Sequence, residues 1–190
     1  MSTTTTPPPP NNNHTPALHK TTDPLTLADL ATDVIHRLRS TNQILGVADA
    51  VFRGGIVSYA TPLKQTLLGA DAALIAREGV IHPEVALQMA EGARKATSIP
   101  TTPQGEDVTG WGIGTTGVAG PDQQDGKAVE TVYIGIASPS ESAAAAGGSS
   151  SRAWGPFSFP GSRQEVREAT VMEALARLRE ALQAAEKTGE

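Results

Sequence analysis

The sequence predicts one α/β domain with helices on both faces of a sheet, and two observations support this. Apolar, strand-forming stretches occur at residues 51–59, 108–116 and 129–137. Around them, apolar residues recur at three- and four-residue spacing, which is typical of helices that cover a sheet. The chain of 190 residues is long enough for one domain with a proper core. We therefore assign residues 23–190 to a single domain.

Composition excludes several functional classes. The net charge is -5 and no basic cluster could follow a phosphate backbone, so nucleic-acid binding is unsupported. The chain has no cysteine, and its four histidines lack metal-ligand spacing, so we expect neither disulfides nor a metal site. No apolar run could span a membrane, and the N-terminus lacks the apolar core of a signal peptide. These features predict a soluble, cytoplasmic protein.

The first 60 residues contain a tail, a helix and a strand. Residues 1–22 are low-complexity sequence that cannot bury enough surface to order itself, so we expect a disordered tail. Asp23-Pro24 is a plausible helix start, and an apolar stripe predicts a helix that ends near Arg39. After a short connector at 40–50, Val51–Tyr59 is predicted to be a buried strand.

Three short helices are predicted next, and each has a start signal. Thr61-Pro62 caps a helix over 63–68, and Asp71 begins another over 72–78 that Gly79 ends. His82-Pro83 opens the third, so we interpret His82 as a structural N-cap. Residues 97–107 are predicted to be an exposed loop.

The C-terminal half contains the remaining strands and the longest helix. Strands are predicted at 108–116 and 129–137, followed by a flexible small-residue insertion at 138–152. Residues 154–159 suggest an edge strand, because Pro156 argues against a central position. A capping box, Ser162-x-x-Glu165, then begins a helix with one apolar stripe.

A glycine-rich run at 112–122 (GIGTTGVAGPD) is the most unusual stretch of the sequence. Ordered glycines are entropically costly, so such a run is usually placed where the backbone approaches a ligand or another chain segment closely. Free backbone N–H groups after Thr116 could cradle an anion. The alternative is a strand that ends in a glycine-rich turn without a ligand.

Three blocks in this order resemble the CinA family, specifically its C-terminal domain, the nicotinamide mononucleotide deamidase. The blocks are GGIVSY at 54–59 with Lys64, GVIHPEVALQMAEG at 79–92, and TGVAGPD at 116–122 followed by TVYI at 131–134. The resemblance covers roughly residues 25–185. It implies a three-layer α/β/α fold with a mixed sheet, self-association into a homo-oligomer, and no cofactor.

The resemblance also implies a reaction and its residues. The reaction is hydrolysis of the nicotinamide amide, which gives nicotinic acid mononucleotide and ammonia. The family uses a serine nucleophile that a tyrosine and a lysine assist, and the matching positions here are Tyr59 and Lys64. A desolvated lysine can act as a base for an activated hydroxyl. Thr116, Gly117, Gly120 and Asp122 would contact the small-molecule nucleotide. Without the resemblance, Lys64 would be an exposed helix lysine and Tyr59 a half-buried strand tyrosine.

The sequence departs from the family in one important respect. Family members have a strand that runs into a Glu-Ser-x-Thr-Gly-Gly-like turn after the first helix, and this turn supplies the serine. A strand, turn, helix and connector need about 25 residues. Only the eleven residues from Ser40 to Ala50, both included, are available for them. Ser40, Thr41 and Ser58 are weak replacements. A smaller departure is Glu130, which stands where the family has a glycine.

Three functional hypotheses follow from these observations. The chain is an active deamidase, a non-catalytic nucleotide-binding or self-associating module, or a truncated product without independent function. Loss of the strand that the family has after the first helix would also deprive the sheet of ladder partners. We therefore expect a less stable protein than full-length relatives.

Overall fold

A computed structural model of the chain describes residues 26–40, 52–102, 105–107, 109–138 and 151–188. The predicted tail at 1–22, the helix start at Asp23-Pro24, residues 41–50 and most of the insertion at 138–152 lie outside these residues. The elements in chain order are α1 (Leu27–Ser40), α2 (Thr61–Thr66), α3 (Ala72–Glu78), α4 (Pro83–Thr97), β1 (Ile99–Thr102), β2 (Gly105–Asp107), β3 (Gly112–Gly117), β4 (Thr131–Ala137), β5 (Arg152–Ser158) and α5 (Arg163–Thr188).

The central sheet has the strand order β3-β4-β5, and helices cover both of its faces. Helix α4 packs against β3 and β4 on one face, while α5 packs on the other face and carries α1. This confirms the α/β class and its three layers. All pairings between the described strands are antiparallel, so the parallel neighbour of a mixed sheet is not among them.

Two predictions about the region before β3 were wrong. Residues 54–59 belong to no strand, and Val57 and Tyr59 are 88% and 81% exposed, so the buried strand predicted there does not form. The predicted loop at 97–107 contains a two-stranded antiparallel hairpin, β1-β2. Its β-branched residues Ile99, Thr101 and Thr102 favour extended backbone over an irregular loop.

The predicted edge strand β5 is confirmed, because it lies at the border of the described sheet and pairs there with β4 alone. Proline has no N–H to donate, and at this border no second strand needs one from Pro156. The other border is β3, whose only partner among the described strands is β4. The sheet therefore presents a strand edge on the side of the extended segment 53–59.

Helix starts follow the signals in the sequence closely. Asp71 caps α3, since its carboxylate accepts from the N–H groups of Ala73 and Leu74 at 2.7 and 3.3 Å. At α4, the Nδ1 atom of His82 accepts from the N–H of Glu84 at 3.2 Å, which confirms its capping role. Thr61 lies inside α2 rather than before it, because the capping position is Ala60, which has no side-chain acceptor.

The capping box at α5 forms as predicted. The carboxylate of Glu165 accepts from the N–H and the hydroxyl of Ser162, both at 2.7 Å. A second box begins α1, where Thr26 and Asp29 exchange hydrogen bonds of 2.9 and 3.2 Å. Both helix starts thus have reciprocal partners for backbone groups that would otherwise lack one.

Two apolar clusters fill the space between the layers. The cluster on the α1 and α5 side centres on Trp111, Leu38, Leu178 and Leu182, all at most 1% exposed. The cluster on the α4 side includes Val85 and Ile81 and joins α2, α3 and α4. Among the described residues, no helix is long and apolar enough to cross a membrane.

Glycines of β3 and β4 allow α4 to lie against the sheet at backbone contact. A Cβ atom at Gly112 or Gly114 would lie 2.2 Å from the carbonyl oxygen of Ala90 or Ala86. A Cβ at Gly135, which is opposite Gly114 in the ladder, would lie 2.4 Å from the same Ala86 oxygen. Since real Cβ atoms do not approach backbone so closely, only glycine fits at these positions. The first half of the glycine-rich run therefore serves helix packing.

Candidate active site

The predicted site residues all line one cleft. Its volume is about 1080 Å³, and it is lined by the extended residues 54–59, by β3 and by the start of α5. The six predicted residues on its walls are Tyr59, Lys64, Thr116, Gly117, Gly120 and Asp122.

Lys64 is a buried amine held by backbone carbonyls. It lies on α2 with 8% of its surface exposed, and its Nζ donates to the carbonyl oxygens of Ser58 and Tyr59 at 2.6 and 3.2 Å. Burial lowers the pKa of the Lys64 amine, because desolvation disfavours the charged form. The two carbonyl acceptors act in the opposite direction, since they stabilise the ammonium. Lys64 thus holds the end of the extended segment in place through two hydrogen bonds. The lowered pKa of its amine makes the neutral, basic form easier to reach.

Tyr59 projects into the cleft, with 81% of its surface exposed. The half-buried strand position that its type suggested was therefore wrong, because residues 53–59 join no sheet in the described chain. The guanidinium of Arg163 donates to the Tyr59 hydroxyl at 3.5 Å and to the carbonyl oxygen of Gly120 at 2.9 Å. Arg163 thereby connects α5, the glycine-rich loop and the Tyr59 segment.

Thr116 and Gly117 contribute differently from each other. The Thr116 side chain is 6% exposed, and its hydroxyl donates to the carbonyl oxygen of Val80 at 2.8 Å. That hydroxyl is therefore engaged inside the protein, on the α4 face of β3. Gly117 is exposed at the end of β3, and a Cβ atom there would lie 2.7 Å from the carbonyl oxygen of Thr131, so the glycine is required by its contact with the start of β4.

The loop after β3 places Gly120 and Asp122 at the rim of the cleft. Gly120 has a φ of 81°, a conformation that favours glycine, and its carbonyl is held by Arg163. Asp122 is exposed at the rim. No group of three histidine or acidic side chains that could hold a metal occurs in the described ranges.

Glu130 explains one departure of the sequence from the family pattern. It has a φ of 75°, in the left-handed region where a side chain is unfavourable and glycine is common. Its carboxylate accepts from the N–H of Gly161 at 3.3 Å, and its carbonyl accepts from the N–H of Phe159 at 3.2 Å. These contacts hold the glutamate in a conformation that a glycine would adopt without strain.

The described cleft lacks an obvious serine nucleophile. Ser58 is the one serine among the described residues that line it, and this residue is 7% exposed with its carbonyl bound to Lys64. In the described chain, the Lys64 amine donates to carbonyls and to no hydroxyl. Among the described residues, Lys64 and Tyr59 therefore line the cleft without a serine hydroxyl beside the Lys64 amine.

Sequence reasoning missed Arg163. A basic residue in the first turn of a helix is unfavourable beside the positive end of the helix dipole, and this signal could have marked it. Arg167, one turn further along α5, also lines the cleft. Together they bring positive charge to the cleft at the start of α5.

The fold and this cleft define a three-layer α/β domain whose candidate site lies at an open edge of its sheet. The family model described as "CinA C-terminal domain" matches residues 38–182. This match covers most of the chain, and the chain belongs to the CinA C-terminal domain family.

Relatives and solved structures agree with the family assignment. A CinA-like protein of Frankia casuarinae is 38% identical over 135 residues, which is 71% of this chain and 27% of that protein. A CinA-like protein of Anaeromyxobacter dehalogenans is 37% identical over 136 residues. The chain thus spans about a quarter of the length of these relatives.

Two crystal structures show the same fold. A competence or damage-inducible protein from Enterobacter asburiae superposes with a TM-score of 0.66 and 21% identity, over 84% of this chain and 99% of that one. The competence/damage inducible protein CihA from Agrobacterium tumefaciens gives 0.67 and 22%, over 83% and 96%. At these identities the likeness supports the fold alone.

Proposed function

We propose that the chain is a nicotinamide-nucleotide amidohydrolase-type domain that acts on nicotinamide mononucleotide. The observation that carries this proposal is the buried Lys64 amine beside the exposed Tyr59, in one cleft with the glycine-rich loop of a CinA domain. In this function, a hydroxyl attacks the amide carbon while Lys64 takes its proton, and Tyr59 assists the transfer of that proton to the amide nitrogen. The C–N bond breaks and ammonia leaves, which gives an ester to the hydroxyl. Water then hydrolyses this ester, releasing nicotinic acid mononucleotide and restoring the hydroxyl.

The charge of the cleft suits a mononucleotide. Its phosphate is an anion, and Arg163 and Arg167 bring guanidinium groups to the rim at the start of α5. The backbone at Gly117 is exposed and lines the cleft, where a bound nucleotide would contact it. These features support nucleotide binding independently of turnover.

A second candidate is a nucleotide-binding or self-associating module without catalysis. The specific observation in its favour is that the Lys64 amine donates to two carbonyls, with no described hydroxyl as its partner. Such a module would keep the nucleotide site and lack the attacking group. Light scattering after gel filtration tests the self-association.

Ammonia release and calorimetry with nicotinamide mononucleotide separate the two candidates. Turnover that Lys64→Met abolishes and Lys95→Met leaves unchanged supports the hydrolase, because Lys95 is an exposed lysine outside the cleft. Binding without ammonia release supports the second candidate. Absence of both from folded protein would refute the proposed function.

A further inference from the structure

The phenol oxygen of Tyr59 forms one side-chain hydrogen bond within the described chain, and this bond fixes the role of the phenol proton. The Nη2 atom of Arg163 donates to the oxygen at 3.5 Å. A guanidinium has donors only and keeps its charge throughout the working pH range of proteins. The tyrosine oxygen must therefore be the acceptor in this contact. Its own O–H, the single donor of the side chain, remains available to another group.

The cleft is the space that this O–H can reach. Tyr59 is largely exposed and lines the cleft. Among the described residues, no group accepts a hydrogen bond from its hydroxyl. The phenol proton is therefore free for a molecule that enters the cleft.

The Arg163 guanidinium is itself held in place. Its Nη1 atom donates to the carbonyl oxygen of Gly120 at 2.9 Å. Its backbone begins α5, where the capping box of Ser162 and Glu165 fixes the first turn. The two terminal nitrogens of Arg163 thus each hold one acceptor, on the glycine-rich loop and on Tyr59.

The backbone of Tyr59 is held from a different element. The Nζ atom of Lys64 on α2 donates to the Tyr59 carbonyl oxygen at 3.2 Å. An exposed side chain without contacts populates several rotamers, because nothing offsets the entropy of ordering it. Contacts at both ends of Tyr59 therefore restrict where its hydroxyl lies.

Arg167 gives a matched contrast to Arg163. It lies one turn further along α5, lines the same cleft and is exposed. Within the described ranges, however, its guanidinium has no hydrogen bond or ion pair. The two arginines carry the same charge, but only Arg163 is engaged with Tyr59.

We propose that Arg163 is a positioning residue that holds the Tyr59 phenol as an acceptor, so that the phenol proton is presented to the cleft. In the proposed hydrolysis, Tyr59 gives this proton to the amide nitrogen as the C–N bond breaks. The proton that Lys64 takes from the attacking hydroxyl then restores Tyr59, while Arg163 stays charged throughout. This catalytic consequence rests on the proposed function, whereas the positioning of the phenol does not.

Tyrosine labelled with ¹³C at Cζ tests the positioning in the full chain without turnover. The chain has two tyrosines, so Tyr59→Phe assigns both signals. The Cζ shift responds to hydrogen bonding at the phenol oxygen. We therefore expect Arg163→Gln to move the Tyr59 signal beyond its linewidth and to leave the Tyr133 signal in place. Arg167→Gln removes the same charge one turn away and should leave both signals unchanged.

Two results of this experiment would overturn the proposal. The first is an unchanged Tyr59 signal in Arg163→Gln. The second is an equal shift in Arg167→Gln, which would indicate an effect of charge without a directed contact. Both arginines are exposed on the surface of α5, so neither substitution disturbs the apolar clusters.

Kinetics with nicotinamide mononucleotide test the catalytic consequence. We expect Arg163→Gln to lower kcat by at least about tenfold and to change KM by less than about threefold, because misplacing a reacting group chiefly slows the chemical step. In a chain that already carries Tyr59→Phe, adding Arg163→Gln should cost no further activity, since the arginine acts through the tyrosine.

The kinetic outcomes separate this inference from the proposed function. A raised KM with unchanged kcat would refute the positioning role and assign Arg163 to substrate binding. Fully additive losses in the double variant would also refute it. Absence of ammonia release from the parent would refute the proposed function alone, and the Tyr59 signal would then decide whether Arg163 positions the phenol.

Discussion

The two sides of β3 differ in how closely the rest of the molecule approaches them. On its α4 face, Gly112 and Gly114 bring the strand to backbone contact with the helix. On its other side, Ile113, Thr115 and Gly117 line the cleft, together with the extended residues 54–59. One glycine-rich strand thus serves tight packing on one side and leaves its backbone accessible on the other.

This difference separates two reasons for glycine that look alike in a sequence. Gly112 and Gly114 are required by the helix carbonyls beside them, whereas Gly120 is required by its own φ of 81°. The whole run from Gly112 to Gly120 borders the cleft, so its glycines differ in what requires them and not in whether they reach the candidate site. The following predictions test the contrast, beginning with the largest expected effect.

Filling the open side should stabilise the domain most. A family-like strand, turn and helix inserted between Ser40 and Ala50 would supply ladder partners for the sheet and an apolar row. We expect a gain of several kcal/mol, against a total stability of about 5–15 kcal/mol for a typical domain. Thermal melting followed by circular dichroism measures it, with a glycine-serine insert of equal length as the control. Equal melting points for the parent and the family-like insert would contradict this prediction.

Crowding the packed side should be strongly destabilising. Gly114→Ala places a Cβ atom 2.2 Å from the carbonyl oxygen of Ala86 and 2.6 Å from the nitrogen of Ala90, and neither backbone atom can move alone. We expect a loss near the upper end of ~1–3 kcal/mol in the free energy of unfolding. Gly54→Ala is the control, since its Cβ would meet Thr97 at an ordinary 3.5 Å. Urea titration of both variants checks this, and similar losses would refute the packing argument.

Two adjacent threonines, Thr115 and Thr116, distinguish the two faces of β3. Thr116→Val leaves the buried carbonyl of Val80 without its 2.8 Å hydrogen bond, which should cost about 2 kcal/mol. Thr115→Val changes an exposed residue on the other face and should leave stability nearly unchanged. Denaturant midpoints compare the two, and an equal cost for both would indicate that the inner hydroxyl contributes no special stability.

The smallest effect concerns Lys64 and depends on pH. Lys64→Met loses two hydrogen bonds to carbonyls but relieves the burial of a charge, so we expect a net loss of roughly 1 kcal/mol at neutral pH. Because the pKa of Lys64 is lower in the folded state, the unfolded chain binds more protons between that pKa and 10.5. The parent should therefore gain stability over the variant as pH rises towards 10.5. A difference that is constant from neutral to alkaline pH would show that the amine titrates normally.

Local signals in the sequence predicted much of this fold. Asp71, His82 and Ser162 act through atoms within three residues, so short-range pattern is sufficient to place the helices that they begin. The strand predicted at Val51–Tyr59 was wrong for the opposite reason. A strand exists only with a partner, and apolar composition cannot report whether that partner is present.

The candidate site was predictable only in part. Resemblance identified the residues that line the cleft, but not which of their groups are already engaged. The hydroxyl of Thr116 is bound to Val80, 36 residues earlier, and Arg163 meets Tyr59 across 104 residues. Contacts over such separations depend on the packed layers, and spacing within the sequence does not encode them.

The pairing of α1 with α5 has a consequence for synthesis of the chain. Val34 and Leu38 are buried against Leu178 and Leu182, and the Arg37 guanidinium donates to Glu186 at 2.6 Å. Arg37 and Glu186 are 149 residues apart, so the ribosome makes α1 long before it makes α5. The apolar stripe of α1 therefore lacks its α5 partners during synthesis of all the elements between the two helices.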